Sequence, residues 1–245
     1  MPTVVPARRE GGRLARAGCY GSVATVAALL SGCTSLTTGT AVAADDLGHD
    51  AAPVPVAALD HLLLPPEQLS ALLNTGEFVM KHAGSKMGDS QTTADDCVAT
   101  FRATWGPVYQ GSGWTAVRAQ YLADRDGSKF KVWQGVVTFP LPLDAEAFYR
   151  KQVAAWHTCD NRRVEERFVD EAPSPDDFFK MGSASDHDGM LSMTHTEENS
   201  QTEWTCERAL TARNNVIVDV ESCTDRRADQ AEVVANAIAA KVPVK

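Results

Sequence analysis

The 245-residue sequence predicts an α+β fold: a single domain in which helices pack on a mainly antiparallel sheet. Three observations carry that expectation. Segments with strand-like alternation outnumber helical ones and come in runs, instead of alternating one for one with helices. Two of them, 203–213 and 216–223, flank Asn214-Asn215, a pair suited to the tight turn of an antiparallel hairpin. Four cysteines, Cys97, Cys159, Cys206 and Cys223, fall inside the predicted domain, an even number that fits disulfides in an exported chain. A hydrophobic content of 44% with 22% charged residues excludes wholesale disorder. A net charge of −9 argues against nucleic-acid binding and against docking on anionic lipid by charge.

In chain order, the first segment reads as an address. Arg8, Arg9, Arg13 and Arg16 precede a small and apolar run from Ala17 to Leu30. That run is too short to span a bilayer, which takes about 20 residues. A basic stretch, a short apolar stretch and then small residues make a secretory signal. Leu30-Ser31-Gly32-Cys33 resembles the lipobox of bacterial lipoproteins, in which the cysteine thiol receives a diacylglycerol and becomes residue one after cleavage. Residues 1–32 are therefore expected to be a lipoprotein signal peptide, with Cys33 lipidated. Their loss removes four Arg and one Glu and takes the charge from −9 to −12. Residues 33–58, rich in Thr, Ala, Gly, Asp and Pro without apolar periodicity, read as a flexible tether.

The domain is expected over 59–245, a size that buries roughly 70% of its unfolded surface. Pro65–Leu73 forms a helix with proline in its first turn. A helical turn lies within 92–100, and strands follow at 114–121 and 131–139. Asp144 caps a helix reaching Cys159. Leu143 and Phe148 occupy its staple positions, and Phe148, Gln152, Ala155, Trp156 and Cys159 share a face. Further strands fall at 163–168, 178–182, 189–195, 203–213 and 216–223. A last helix covers 226–242 and buries Ala231, Val234, Ala235 and Ile238.

The hairpin register identifies one disulfide. If Arg213 faces Val216 across the turn, Cys206 faces Cys223 in a non-hydrogen-bonded pair, about 4.5 Å apart at Cα. That is close enough for a bridge, and it leaves Cys97 and Cys159 to each other. No Cys-x-x-Cys spacing supports a zinc site. The sequence lacks a nucleophile elbow, a phosphate loop and a dinucleotide fingerprint. Asp186-His187-Asp188-Gly189 lacks the carboxylates that a calcium loop needs at its two ends, and is read as a hairpin turn. The five tryptophans are read as core and bridge packing. No catalytic residue, metal or cofactor is expected.

Longer motifs then become informative. Gly111-Ser-Gly-Trp-Thr-Ala-Val-Arg118, Val136-Val-Thr-Phe139, Trp156-His-Thr-Cys159, Cys206–Val220 and the Ala-rich final helix resemble the PknH-like extracellular sensor domain. The resemblance covers the region from Leu59 to Lys245. It implies a twisted, mainly antiparallel sheet with packed helices, a large cleft, and the pairings Cys97–Cys159 and Cys206–Cys223. It carries no kinase motif: His-Arg-Asp and Asp-Phe-Gly are both missing.

Two functions fit these features. The first is a non-catalytic, lipid-anchored sensor domain on the extracytoplasmic face of the cell membrane, capturing a small molecule or envelope component in its cleft. The second is an envelope protein–protein interaction module. In the hairpin register one face carries Val216, Val218, Val220, Ala209 and Thr211, and is assigned to the core. The other carries Trp204, Cys206, Arg208, Leu210, Asp219 and Glu221, with Arg208 directly across from Glu221. That face is expected either to hold an exposed ion pair or to form a wall of the cleft. Trp204, Arg208, Asp219 and Glu221 are its candidate ligand contacts.

Overall fold

A computed structural model describes residues 51–93, 97–127, 129–198, 204–225 and 229–244. The signal segment and Cys33 lie outside the described residues. Among the described residues nine strands form an antiparallel sheet: β1 (Phe78–Gly84), β2 (Ala116–Asp124), β3 (Phe130–Thr138), β4 (Arg163–Glu165), β5 (Phe178–Met181), β6 (Ser185–His187), β7 (Met190–Glu197), β8 (Thr205–Arg213) and β9 (Val216–Thr224). Their order is β1-β2-β3-β9-β8-β7-β5-β4, with β6 beside β7. The described α-helices are α1 (Pro66–Leu73), α2 (Gly106–Tyr109), α3 (Pro142–His157) and α4 (Gln230–Ala239).

The β8–β9 hairpin has the expected register. Asn214 adopts the left-handed conformation (φ 51°), Arg213 faces Val216 and Cys206 faces Cys223. These cysteines are bonded with Cα atoms 3.9 Å apart, and Cys97 is bonded to Cys159 at 5.8 Å. Asp188 and Gly189, both left-handed, make the turn between β6 and β7.

Side chains alternate across the sheet, so each face builds its own core. Val132, Val136, Ala209, Val216, Val218 and Val220 pack under α1, α4 and Leu59–Leu64. In α4 the anticipated face is fully buried: Ala231, Val234, Ala235 and Ile238. Val117, Val137, Met193, Leu210 and Ile217 point the other way, under α3, α2 and the segment from Cys97. Tyr109 of α2 stacks on Phe148 of α3 at 4.5 Å, and Trp156 is fully buried. A second covered face was not anticipated, because the sequence places two charges, Arg208 and Asp219, in its centre.

Three local expectations are corrected. Asp144 stands at the third position of α3, where its carboxylate accepts from the Leu141 amide (3.1 Å). Pro142 occupies the first helical position and the chain turns outward there. Leu143 is consequently 76% exposed and makes no staple. The folded chain also begins before Leu59. Val54 is buried, with its amide on Asn215 Oδ1 (2.7 Å), and the Asn214 side chain donates to the Ala51 and Ala52 carbonyls.

Candidate functional site

The second face is covered over only part of its length. From the turn outward, β9 presents Ile217, Asp219, Glu221 and Cys223 opposite Ala212, Leu210, Arg208 and Cys206 of β8, with Trp204 just beyond the end of β8. Leu210, Asp219 and Arg208 lie under α3 and residues 97–109, while Cys206 and Trp204 beyond them are partly exposed. The fit of cover on sheet is tight at Gly135: a Cβ there would stand 2.1 Å from Thr104 Cγ2.

Asp219 holds the cover down. Arg208 donates to it through Nε (3.0 Å to Oδ1) and Nη2 (2.8 Å to Oδ2). Its Oδ2 also accepts from the Thr104 amide (2.8 Å) and the Tyr109 hydroxyl (2.7 Å). Arg208 reaches on to the Ala99 carbonyl and lies against the Trp156 ring. Both charged side chains have 0% exposure. Burial opposes the charge on Arg208, but the Asp219 carboxylate outweighs it and raises the pKa. Burial, then the Asp219 charge, pushes the Tyr109 hydroxyl well above its ordinary value.

This arrangement corrects the expected exposed ion pair. Arg208 does face Glu221 in register, yet its guanidinium forks onto the diagonal Asp219 and is sealed from water. Arg208 and Asp219 therefore pin the cover and do not line the cleft. Glu221 and Trp204, the other two candidates, do stand in open hollows.

The larger hollow, about 440 Å³, lies where the cover ends over β1, β2 and β3. Its floor is Tyr121 stacked on Trp133, 4.5 Å between centroids and 11° between planes. Trp105 and Met87 form the apolar side, and His82, Lys86 and Arg102 bring nitrogen to the rim. Among the described residues Glu221 is its one acidic group. Its Oε2 accepts from the Ala103 amide (3.2 Å), and burial pushes its carboxyl up to about 7 against the pull of Arg102 and Arg208.

A smaller hollow of about 200 Å³ adjoins it and shares Arg102, Trp133 and Glu221. It is lined by Trp204, capped by the Lys131 ammonium at 4.4 Å, and by the Cys206–Cys223 bridge. His195 lies at its base between Phe101 and Phe179, with Nδ1 lacking a hydrogen-bond partner. Burial, helped by Arg102 and Arg208, lowers its pKa to about 3, so it is neutral. Between the hollows Arg102 Nη2 pairs with the buried Glu166 carboxylate (3.1 Å) and its plane lies over Phe168 and Trp105. His195, Cys206 and Glu221 bring donor atoms within 4.8 Å of one another, but the Cys206 sulfur is spent in its disulfide. The two ligands left do not make a metal centre.

The sequence reading missed Tyr121, Trp133, Arg102 and Lys86 as cleft residues. A usable signal existed for two of them: read as a hairpin around 124–130, the strands place Tyr121 directly opposite Trp133. Trp105 and Trp133, which the sequence assigns to packing, both line the hollow.

A disulfide-braced α+β domain with a ligand-sized cleft on one sheet face is the class that this fold defines. Residues 54–241 match the PknH-like extracellular domain, and the chain belongs to that family. It is 28% identical over 205 residues to the serine/threonine-protein kinase PknH of Mycobacterium tuberculosis, a match covering 78% of this chain and 30% of that protein. The protein of the same name from Mycobacterium bovis gives 28% identity over 205 residues and 32% of its length. This chain thus spans under a third of the length of those curated relatives. The crystal structure of the extracellular domain of PknH from Mycobacterium tuberculosis superposes with a TM-score of 0.72 at 25% identity, covering 78% of this chain and 97% of that one.

Proposed function

We propose that this chain is a non-catalytic extracytoplasmic sensor-type domain that captures a small amphipathic molecule and is held at the cell membrane by lipid on Cys33. The aromatic-floored hollow is the observation that carries the reading. A stacked Tyr121–Trp133 floor with Trp105 and Met87 beside it suits an apolar or ring-shaped body. Lys86 and His82 at the rim suit an anionic head on that body, in a chain whose net charge is otherwise acidic. Capture without chemistry fits the use of the cleft's polar groups, since Glu221 is engaged by the Ala103 amide and Arg102 by Glu166. An address outside the cytoplasm is supported by the family, by the two disulfides and by the signal-like start. The lipid rests on Leu30-Ser31-Gly32-Cys33.

The test is mass spectrometry of small molecules released from protein purified out of its native envelope. Wild type is expected to carry one ligand species, and Lys86→Glu to carry at least tenfold less while melting within about 2 °C of wild type, as a surface change should. Equal loading of both proteins, or no released molecule, would overturn the assignment. Cys33→Ala should lose the acyl mass and leave the membrane fraction.

A further inference from the structure

Three parts of the chain converge at the β8–β9 turn. The Asn214 side chain donates to the Ala52 carbonyl (2.9 Å), near the first described residue, and to the Pro243 carbonyl (3.0 Å), near the last. The outward start of α3 lies beside them. Among the described residues four large apolar side chains are more than half exposed, and three of them sit at this one end: Leu143 at 76%, Leu141 at 55% and Val244 at 53%. Leu143 and Val244 rim a shared hollow of about 310 Å³ with Ala51. A helix of ordinary patterning keeps leucine on its packed side; here two leucines flanking a proline are turned to the outside together.

The position of the lipid says what would cover them. Cys33 stands 18 positions before Ala51. A chain of that length spans at most about 65 Å. An acyl group on Cys33 would tether the domain to the bilayer through this end, where the described chain begins. The other end of the sheet, the turn between β2 and β3, lies about 26 Å farther along the nine-residue β9. We infer that Leu141, Leu143 and Val244 form a tip that inserts into the headgroup region of the bilayer. This inference rests on the lipid-anchor reading above.

Two consequences follow. Glu221 and Cys223 sit toward the far end of β9, so an inserted tip turns the ligand hollow away from the membrane, into the envelope space. The contact is apolar and not electrostatic. The neighbouring acid Glu146 is paired with Arg150 (2.9 Å) and the chain is acidic overall, so docking should gain nothing from anionic lipid and should not weaken as salt is raised.

The experiment uses the mature lipidated protein, which begins at Cys33 and so lacks Cys19, in phosphatidylcholine vesicles, with acylation first verified by mass. The four domain cysteines are bridged, so a nitroxide on Leu143→Cys or Asp126→Cys labels one site in the acylated chain. The Leu143 label is expected to collide severalfold more with membrane-dissolved oxygen, relative to a water-soluble nickel chelate, than the Asp126 label does. Equal water exposure of both labels on acylated protein overturns the tip while leaving the anchor intact. A Leu143 label shielded from nickel and oxygen alike, with dipolar broadening between copies, also overturns it and assigns the patch to self-association. Absence of acyl mass overturns the anchor and this inference with it.

Discussion

Replacing Arg208 by alanine separates a structural role from a ligand contact. The side chain has no exposed surface and donates two hydrogen bonds to Asp219 and one to Ala99. Its removal leaves the Asp219 carboxylate buried, with the Thr104 amide and Tyr109 hydroxyl as remaining partners. Breaking a buried pair by removing one partner costs about 3–5 kcal/mol, because the other charge stays desolvated and uncompensated. For a domain of this size each kcal/mol moves Tm by roughly 2–4 °C, so the expected drop is about 6–20 °C. Removing both charges, as Arg208→Met with Asp219→Leu, should recover part of that loss. Calorimetric melts of the oxidised proteins at pH 7 measure all three. A Tm for Arg208→Ala within about 2 °C of wild type would refute the buried-pin account and return Arg208 to the open cleft wall.

The remaining predictions concern the bridges and pH. Cys97–Cys159 closes a separation of 62 residues, and its removal should cost about 4 kcal/mol by the chain-entropy argument. Cys206–Cys223 closes 17 within an already paired hairpin and should cost about 3 kcal/mol at most. Thermal melts of the Cys97→Ser/Cys159→Ser and Cys206→Ser/Cys223→Ser proteins check the order, and a reversal contradicts it. Burial raises both Glu207 and Glu221 to about 7, so each stabilises most below the unfolded carboxyl range and loses that contribution as pH rises through 7. His195, lowered to about 3, works the other way, and its contribution is lost as pH falls below the unfolded histidine value. Between pH 6 and 8 the glutamates dominate, and stability should fall by about 2 kcal/mol. Glu221→Gln should remove about 1 kcal/mol of that fall, and a flat or rising wild-type profile would contradict the sign.

The hairpin was legible because its determinants are local: Asn214 tolerates the left-handed turn, and alternation then fixes every pair out to Cys206 and Cys223. The buried face of α4 was legible for the same reason. Alternation assigns Arg208 and Asp219 to one face but is silent about what lies above it. The cover comes from residues 97–109, brought over the sheet by a bridge of separation 62 and by Gly135 yielding room to Thr104. Neither contact leaves a periodic trace. β1 escaped notice because it is an edge strand with Lys81, His82 and Ala83 exposed, so it lacks the polar–apolar alternation of a half-buried strand. Leu143 misled because a staple pattern assumes that the chain enters along the helix, whereas the prolines at 140 and 142 send it outward.

The proposed function seats a ligand in the hollow over Tyr121 and Trp133. A crystal structure of the protein purified from its native envelope, without extraction by organic solvent, tests this most directly. Additional density is expected against the Tyr121–Trp133 stack, with its polar end toward Lys86 and His82. A co-purified molecule seated elsewhere, with water alone over Trp133, would contradict it.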